Sequence, residues 1–103
     1  MNGTTQPSAA IHPGEILKDE LQARHITQRW FAELLGIPHT MLNGIVNGHR
    51  PVSAQLALML EAALGIEAYI WNNIQADYNL QTAGRDKSVV RRLDAIRKVC
   101  AAL

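Results

Sequence analysis

The sequence is poor in cysteine, in aromatic side chains and in charge. Its 103 residues include one cysteine, Cys100, which excludes an internal disulfide framework and a cysteine-only zinc site and fits a reducing compartment. Aromatic residues make up 5% and charged residues 18%, whereas hydrophobic residues make up 48%. A chain this apolar and this weakly charged is expected to fold, and its length suits a single domain.

Long apolar runs are also missing. No uninterrupted stretch approaches the roughly 18 to 20 residues that span a membrane. The N-terminus lacks the basic-then-apolar layout of a secretion signal. We therefore expect a cytoplasmic protein that does not interact with membranes.

Signatures of catalysis and of metal binding are absent from the sequence. The four histidines show neither the HExxH spacing nor a zinc-type cluster with cysteine, and there is no Gly-rich phosphate loop or nucleophile elbow. His12 and Glu15, three residues apart, form a pair that lacks the further ligands a metal needs. The sequence therefore predicts a protein that is not an enzyme, with no cofactor and no metal.

Charge is unevenly distributed along the chain. Residues 1–84 carry four basic and seven acidic side chains, whereas residues 85–103 carry six basic and two acidic ones. Positive charge is therefore concentrated in the C-terminal segment. A nucleic-acid interface elsewhere would lie in a part of the chain that is not basic overall.

The periodicity of the apolar residues predicts an all-α fold of about five helices plus a C-terminal helix. No alternating, β-branched stretch bounded by turns indicates a strand. Prolines and hydroxyl residues mark the helix starts, and glycines mark the ends. The predicted helices are 13–24, 28–35 after a Thr27 cap, 38–46 opened by Pro38, 54–64 after a Ser53 cap, 67–82, and, after a break at 83–84, 88–102.

Residues 28–47 carry the most specific pattern. Ala32 suits a point where two helices cross so closely that only a methyl fits, and Gly36 suits a turn in left-handed backbone. Apolar residues after the turn anchor the inner face of the second helix; they are Ile37, Leu42 and Ile45. This pattern is typical of a helix-turn-helix, whose second helix enters the DNA major groove.

The outer face of that second helix supplies the candidate DNA contacts. Side chains near its N-terminal end reach base edges, and asparagine can pair bidentately with adenine. The predicted base-contacting residues are His39, Thr40, Asn43 and Gly44. The predicted phosphate-contacting residues, at the first helix of the motif and in the loop that follows the second, are Gln28, Asn47 and Arg50.

These residues resemble the XRE (Cro/C1-like) helix-turn-helix family. The string of Gln28, Ala32, Gly36 and Asn47-Gly48, followed by basic Arg50, carries the resemblance. The segments HPGEIL, ALMLEAALG and WNNIQADYNL around it are similar to HigA antitoxins, also known as the virulence-associated protein VapI. On this basis we divide the chain into a flexible arm (1–11), an XRE-type domain (12–82) and a basic amphipathic C-terminal helix (83–103).

The resemblance implies a function. HigA-type proteins are dimeric repressors that bind the double-stranded operator DNA of their own operon, which makes them nucleoid-associated when bound. They also neutralise HigB, a ribonuclease toxin with a RelE-like fold. Two alternatives remain: a stand-alone phage-type XRE regulator without a toxin, and a protein-interaction module that has lost DNA binding.

Two helix faces have open interpretations. Trp71, Gln75 and Tyr78 share one face of the fifth helix, and such a stripe is more often core than ligand pocket. In the last helix, apolar residues follow the 4, 3, 4, 3 spacing of a helix that pairs with another; they are Val89, Leu93, Ile96, Cys100 and Leu103. This face either packs on the domain's own core or contributes to a dimer or toxin interface.

Overall fold

The structure, a computed structural model, describes residues 10–103, so most of the arm predicted at residues 1–11 lies outside the described residues. Within 10–103 the chain forms six α-helices and no strand, which confirms the predicted all-α fold. The helices are α1 (Pro13–Ala23), α2 (Gln28–Leu35), α3 (His39–Val46), α4 (Ala54–Leu64), α5 (Ala68–Arg85) and α6 (Lys87–Ala101).

Local interactions at the helix ends follow the sequence prediction. Thr27 Oγ1 accepts a hydrogen bond from Trp30 N (3.2 Å), which caps α2. Ser53 Oγ accepts one from Leu56 N (3.1 Å), which caps α4. Gly36 ends α2 in left-handed backbone (φ 71°), a conformation that a residue with a side chain adopts only at a cost.

The boundary between the last two helices differs from the prediction. The expected break at residues 83–84 is wrong, because α5 continues to Arg85. One glycine in an exposed helix costs only about 1 kcal/mol relative to alanine, which is too little to end a helix of 18 residues. Asp86 makes the break instead, since its carboxylate accepts a hydrogen bond from Ser88 N (2.9 Å) and caps α6. Hydrogen bonds from the hydroxyl and the amide of Ser88 lower the pKa of Asp86.

The core forms where α1 to α5 meet. Its largest fully buried side chains are Trp71, Phe31, Leu17, Leu42, Ile45, Leu60 and Pro13. Trp71 and Gln75 are both buried on α5, and Tyr78 is half-buried one turn further on. The aromatic stripe of this helix therefore belongs to the core, which is the interpretation that the sequence favoured.

The first turn of α1 lies directly against the backbone of α3. A Cβ built on Gly14 would overlap the carbonyl oxygen of Ile45. Only glycine permits this approach, because any side chain would push the two helices apart. The contact sets the position of α3 relative to the core.

The last helix, α6, projects away from this core. None of its residues is buried, and α5 is the helix that it mainly contacts. The described chain measures 56 × 33 × 22 Å, and its radius of gyration is 17.4 Å, against about 13 Å for a compact domain of this length. The alternative in which the apolar stripe of α6 packs on the domain's own core is therefore wrong.

We expect Gly14→Ala to destabilise the domain by about 1–3 kcal/mol, because the added methyl would force α1 away from α3. Gly84→Ala is the matched control: a Cβ there meets nothing within 4 Å, and alanine in place of an exposed helical glycine stabilises by about 0.5–1 kcal/mol. Urea unfolding followed by circular dichroism measures both changes. A Gly14→Ala variant as stable as the wild type would contradict the close approach.

Candidate nucleic-acid interface

Helix α3 is anchored by one face and exposed on the other. The anchoring residues, buried in the core, are Leu42, Ile45 and Val46. Of the predicted base-contacting residues, His39, Thr40 and Asn43 are exposed and Gly44 is half-buried. The helix begins one residue later than expected, because Pro38 precedes it as the N-cap and provides no side-chain hydrogen bond.

Asn43 is the middle member of a series of three hydrogen-bonded carboxamides, here called the carboxamide chain. Asn47 Nδ2 donates to Asn43 Oδ1 (3.1 Å) and to Asn43 O (3.0 Å). Asn43 Nδ2 in turn donates to Gln28 Oε1 (3.4 Å), which links α3 to the first residue of α2. A carboxamide has two N–H donors and two acceptor lone pairs. Within the described part of the chain, one donor and one acceptor of Asn43 therefore stay available at the surface.

Arg50 lies against α3 at Gly44. A Cβ built on Gly44 would come within 3.0 Å of Arg50 Cδ and 3.2 Å of Arg50 Cγ. The Gly44 carbonyl also accepts hydrogen bonds from His49 N (2.8 Å) and Arg50 N (3.2 Å). The missing side chain of Gly44 thus makes room for Arg50, a structural role that the sequence analysis did not foresee.

Gln75 ties the loop of residues 47–53 to the core. Val52 N donates to Gln75 Oε1 (2.8 Å) across 23 residues of sequence. Gln75 Nε2 donates to Asn79 Oδ1 (2.9 Å), so the buried carboxamide is satisfied at both ends. In the sequence, a glutamine within the apolar stripe of α5 could have indicated a buried hydrogen bond. Spacing alone does not identify the Val52 amide as its partner.

His12 connects α1 to the same loop. It is buried, and its Nδ1 accepts a hydrogen bond from Gly14 N (2.9 Å). The backbone N–H of His12 donates to Glu15 Oε2 (3.3 Å), which completes a reciprocal capping box. The imidazole also meets Tyr78 edge-on, with ring centroids 4.8 Å apart. Burial lowers the pKa of His12, although the charge of Glu15 partly opposes this shift.

Positive charge around α3 is sparse. Arg29 and Arg50 are exposed. Arg24 is engaged elsewhere, since its Nη2 donates to Leu64 O (2.9 Å) and its Nε pairs with Glu20 (3.1 Å). Phosphate neutralisation by one such domain is therefore small.

Residues 10–103 contain neither a cluster of metal ligands nor a membrane-spanning helix. No group of three or more His, Cys, Asp or Glu side chains there is placed to hold a metal ion. No helix of that part is both long enough and apolar enough to cross a membrane.

An exposed α3 that follows α2 across residues 36–38 and is anchored from beneath defines a helix-turn-helix protein. The helix-turn-helix family HTH_3 matches residues 17–71, more than half of the chain. The chain belongs to this XRE-type helix-turn-helix family.

Similar proteins and solved structures indicate a group within this helix-turn-helix family. The virulence-associated protein I of Dichelobacter nodosus is 37% identical over 79% of this chain and 76% of its own length. An addiction module antidote protein of the HigA family from Coxiella burnetii has a TM-score of 0.75 at 31% identity, over 85% of this chain and 95% of that one. The antitoxin HigA of Pseudomonas aeruginosa, solved with the higBA promoter, has a TM-score of 0.70 at 38% identity, over 73% and 83%. These similarities confirm the resemblance to HigA and VapI proteins.

The lowered pKa of His12 makes stability depend on pH. The unfolded chain takes up a proton near the ordinary histidine pKa of about 6.5, whereas the folded chain does so only at lower pH. The contribution of His12 is therefore complete above about pH 6.5 and is lost as the pH falls through the folded pKa. We expect the melting temperature to drop between pH 7.5 and 5.5, and His12→Asn, which keeps a capping oxygen, to reduce that drop.

His25→Asn controls for the loss of an imidazole, because His25 lies exposed in left-handed backbone (φ 59°) that asparagine tolerates. Calorimetry of the three proteins at both pH values makes the comparison. The same drop in wild type and His12→Asn would argue against a role for His12.

Proposed function

We propose that this chain is a sequence-specific transcriptional repressor that binds its own operator as a dimer and also neutralises a RelE-like ribonuclease toxin of the HigB type. The single observation that carries the DNA-binding part is the carboxamide chain on the exposed face of α3. It acts by occupancy, so neither a catalytic residue nor a cofactor is required. The proposed location is the cytoplasm, with nucleoid association when DNA is bound.

Base reading centres on Asn43. The donor and the acceptor that stay available on its carboxamide match the N6 and N7 positions of adenine in the major groove. Its bonds to Gln28 and Asn47 restrict its rotation, so less entropy is lost on binding than for a mobile side chain. His39 and Thr40, exposed in the first turn of α3, reach neighbouring base edges. Gly44, the fourth predicted base-contacting residue, has no side chain and contributes by leaving room for Arg50 beside α3.

Phosphate contacts flank this surface. Gln28 Oε1 accepts a hydrogen bond from Asn43, so the proposed phosphate contact of Gln28 uses its Nε2. Asn47 Nδ2 donates within α3, so its phosphate contact would use its remaining hydrogen-bonding groups. Arg50 provides the charged contact from the loop after α3.

Two domains are needed for adequate affinity. From residues 28 to 51 the chain carries two arginines and one glutamate, with the histidines neutral. Because affinity for DNA depends largely on phosphate neutralisation, one such domain binds weakly. A symmetric dimer doubles the contacts and places two recognition helices in successive major grooves, about 34–36 Å apart.

The toxin-binding part is supported by the names of the relatives. Proteins similar to this chain include an addiction module antidote of the HigA family and the antitoxin HigA, and the latter was solved with the higBA promoter. We extend both activities to this chain. In this proposal the antitoxin inactivates the toxin by blocking the access of substrate to the toxin.

The test uses the full chain with DNA from upstream of its own coding sequence. Fluorescence anisotropy at fixed salt is expected to show binding that a scrambled duplex does not compete away. Co-purification with the product of an adjacent reading frame for a basic RelE-like protein tests the second part. DNA binding without such a toxin would identify a stand-alone regulator, and toxin binding without DNA binding would identify an interaction module.

The two kinds of DNA contact respond differently to substitution. Asn43→Ala is expected to relax base preference at one operator position, at a cost of about 1–3 kcal/mol for the preferred base. Arg50→Ala is expected to weaken binding to all sequences alike and to reduce the slope of log K against log salt by about one unit. Anisotropy titrations on single-substitution operators at several salt concentrations separate the two. If both variants altered only the salt slope, the assignment of Asn43 to base reading would be wrong.

A further inference from the structure

Gly44 lies inside α3, where neither common reason for a glycine applies. The described glycines in left-handed backbone are Gly36, Gly48 and Gly65, so Gly44 is not needed for its φ. A Cβ on Gly44 would not overlap the backbone of another element either, since its three nearest heavy atoms all belong to the side chain of Arg50. Glycine inside a helix is less favourable than alanine. Its presence at this position therefore needs another explanation.

The chain turns back onto Gly44 at the end of α3. Gly48 N donates a hydrogen bond to Ile45 O (3.1 Å). His49 N donates one to Gly44 O (2.8 Å), and the two bonds form a Schellman motif. Gly48 provides the left-handed residue that this motif contains (φ 78°). Because Arg50 N also donates to Gly44 O (3.2 Å), the reversal places Arg50 directly beside Gly44.

The side chain of Arg50 then lies over Gly44. A Cβ built on Gly44 would meet Cδ, Cγ and Nε of Arg50 at 3.0, 3.2 and 3.4 Å. Three consecutive atoms of this side chain therefore pass over the Cα of Gly44, along the surface of α3. A side chain at residue 44 would occupy the same space, so Arg50 would have to move.

The guanidinium at the end of this side chain is available for an anion. Within residues 10–103 the ion pairs are Arg24 with Glu20 and Arg97 with Asp94, and Arg50 belongs to neither of them. Arg50 is exposed as a residue. Its side chain is thus held against α3 along its length, while its charge has no carboxylate partner in the described part of the chain.

We propose that Gly44 is a positioning residue for DNA binding: its missing side chain lets Arg50 lie against α3, which holds the Arg50 guanidinium in place for a phosphate. This inference rests on the phosphate contact of Arg50 in the proposed function. An arginine side chain loses rotamer freedom when it binds a phosphate, and a side chain that is already ordered loses less. The helix gives up the higher propensity of alanine at residue 44, and Arg50 gains a fixed position.

Stability and DNA affinity are expected to change in opposite directions in Gly44→Ala. The urea midpoint of unfolding is expected to rise, because alanine favours the helix and the side chain that it displaces is exposed and flexible. Anisotropy at fixed salt is expected to show operator binding weakened about threefold to tenfold, which corresponds to the cost of ordering one long side chain. A lowered midpoint with unchanged affinity would indicate a packing role and overturn the proposal.

Gly84→Ala is the matched control. It makes the same substitution in a helix, and a Cβ on Gly84 meets nothing within 4 Å. It is expected to raise the urea midpoint and to leave operator affinity unchanged. If both variants weakened binding equally, the loss would not depend on the contact with Arg50, and the proposal would be wrong.

A double-mutant cycle tests whether Gly44 acts through Arg50. A methyl group that touched DNA directly would weaken binding by the same factor in the wild type and in the Arg50→Ala background. If Gly44 acts through Arg50, adding Gly44→Ala to Arg50→Ala is expected to change the affinity by less than about twofold. Equal factors in the two backgrounds would overturn the proposal.

The DNA-free protein gives a readout that does not depend on the proposed function. Nitrogen-15 relaxation at the arginine Nε atoms measures their order on the picosecond to nanosecond timescale. In the wild type, Arg50 Nε is expected to have a higher order parameter than Nε of Arg29, which is also exposed. In Gly44→Ala the order parameter of Arg50 is expected to fall toward that of Arg29.

This measurement separates the two possible failures. Equal order parameters for Arg50 and Arg29 in the wild type would overturn the positioning role of Gly44, even if the protein binds its operator. An ordered Arg50 that Gly44→Ala mobilises, in a protein that binds no operator, would contradict the proposed function and leave the contact between Gly44 and Arg50 established.

Discussion

The position of α3 depends on the approach of its backbone to Gly14 in the first turn of α1. A short helix of eight residues has little stability of its own, and its apolar face must be buried for it to hold a fixed place. Burial of Leu42, Ile45 and Val46 provides the free energy, and the missing side chain of Gly14 provides the space. Because the inner face is held in this way, the exposed face can carry polar groups that contribute nothing to the core.

Polar groups hold the loop after α3 in place, whereas apolar groups hold the helix itself. The Gly44 carbonyl accepts hydrogen bonds from two amides of this loop, and Gln75 Oε1 accepts one from the amide of Val52. Each bond joins a loop residue to a different helix, so the loop cannot shift without breaking a buried or half-buried hydrogen bond, which costs about 1–3 kcal/mol per group. The same helix positions that build the core therefore also position Arg50.

Local interactions could be predicted from the sequence, whereas contacts between distant residues could not. Thr27 and Ser53 cap helices through hydrogen bonds to residues three positions away. Gly36 ends α2 through its own left-handed backbone conformation. The roles of Gly14 and Gln75 depend on the backbone of other elements, which periodicity does not report. The boundary at residues 83–84 was wrong for a related reason, since a glycine is only a weak helix breaker when its neighbours favour the helix. For α6 the spacing indicated a pairing face, but only the structure excluded the domain's own core as its partner.

The distribution of charge links the α3 surface to the C-terminal helix. The domain around α3 is weakly basic, whereas residues 85–103 carry six of the ten basic side chains. These side chains raise the positive potential that the protein presents to DNA without contacting bases. Because the proposed repressor binds as a dimer, operator occupancy would follow the concentration of dimer, which grows as the square of the chain concentration while monomers predominate. A weakly binding single domain would thereby become a repressor that responds steeply to its own abundance.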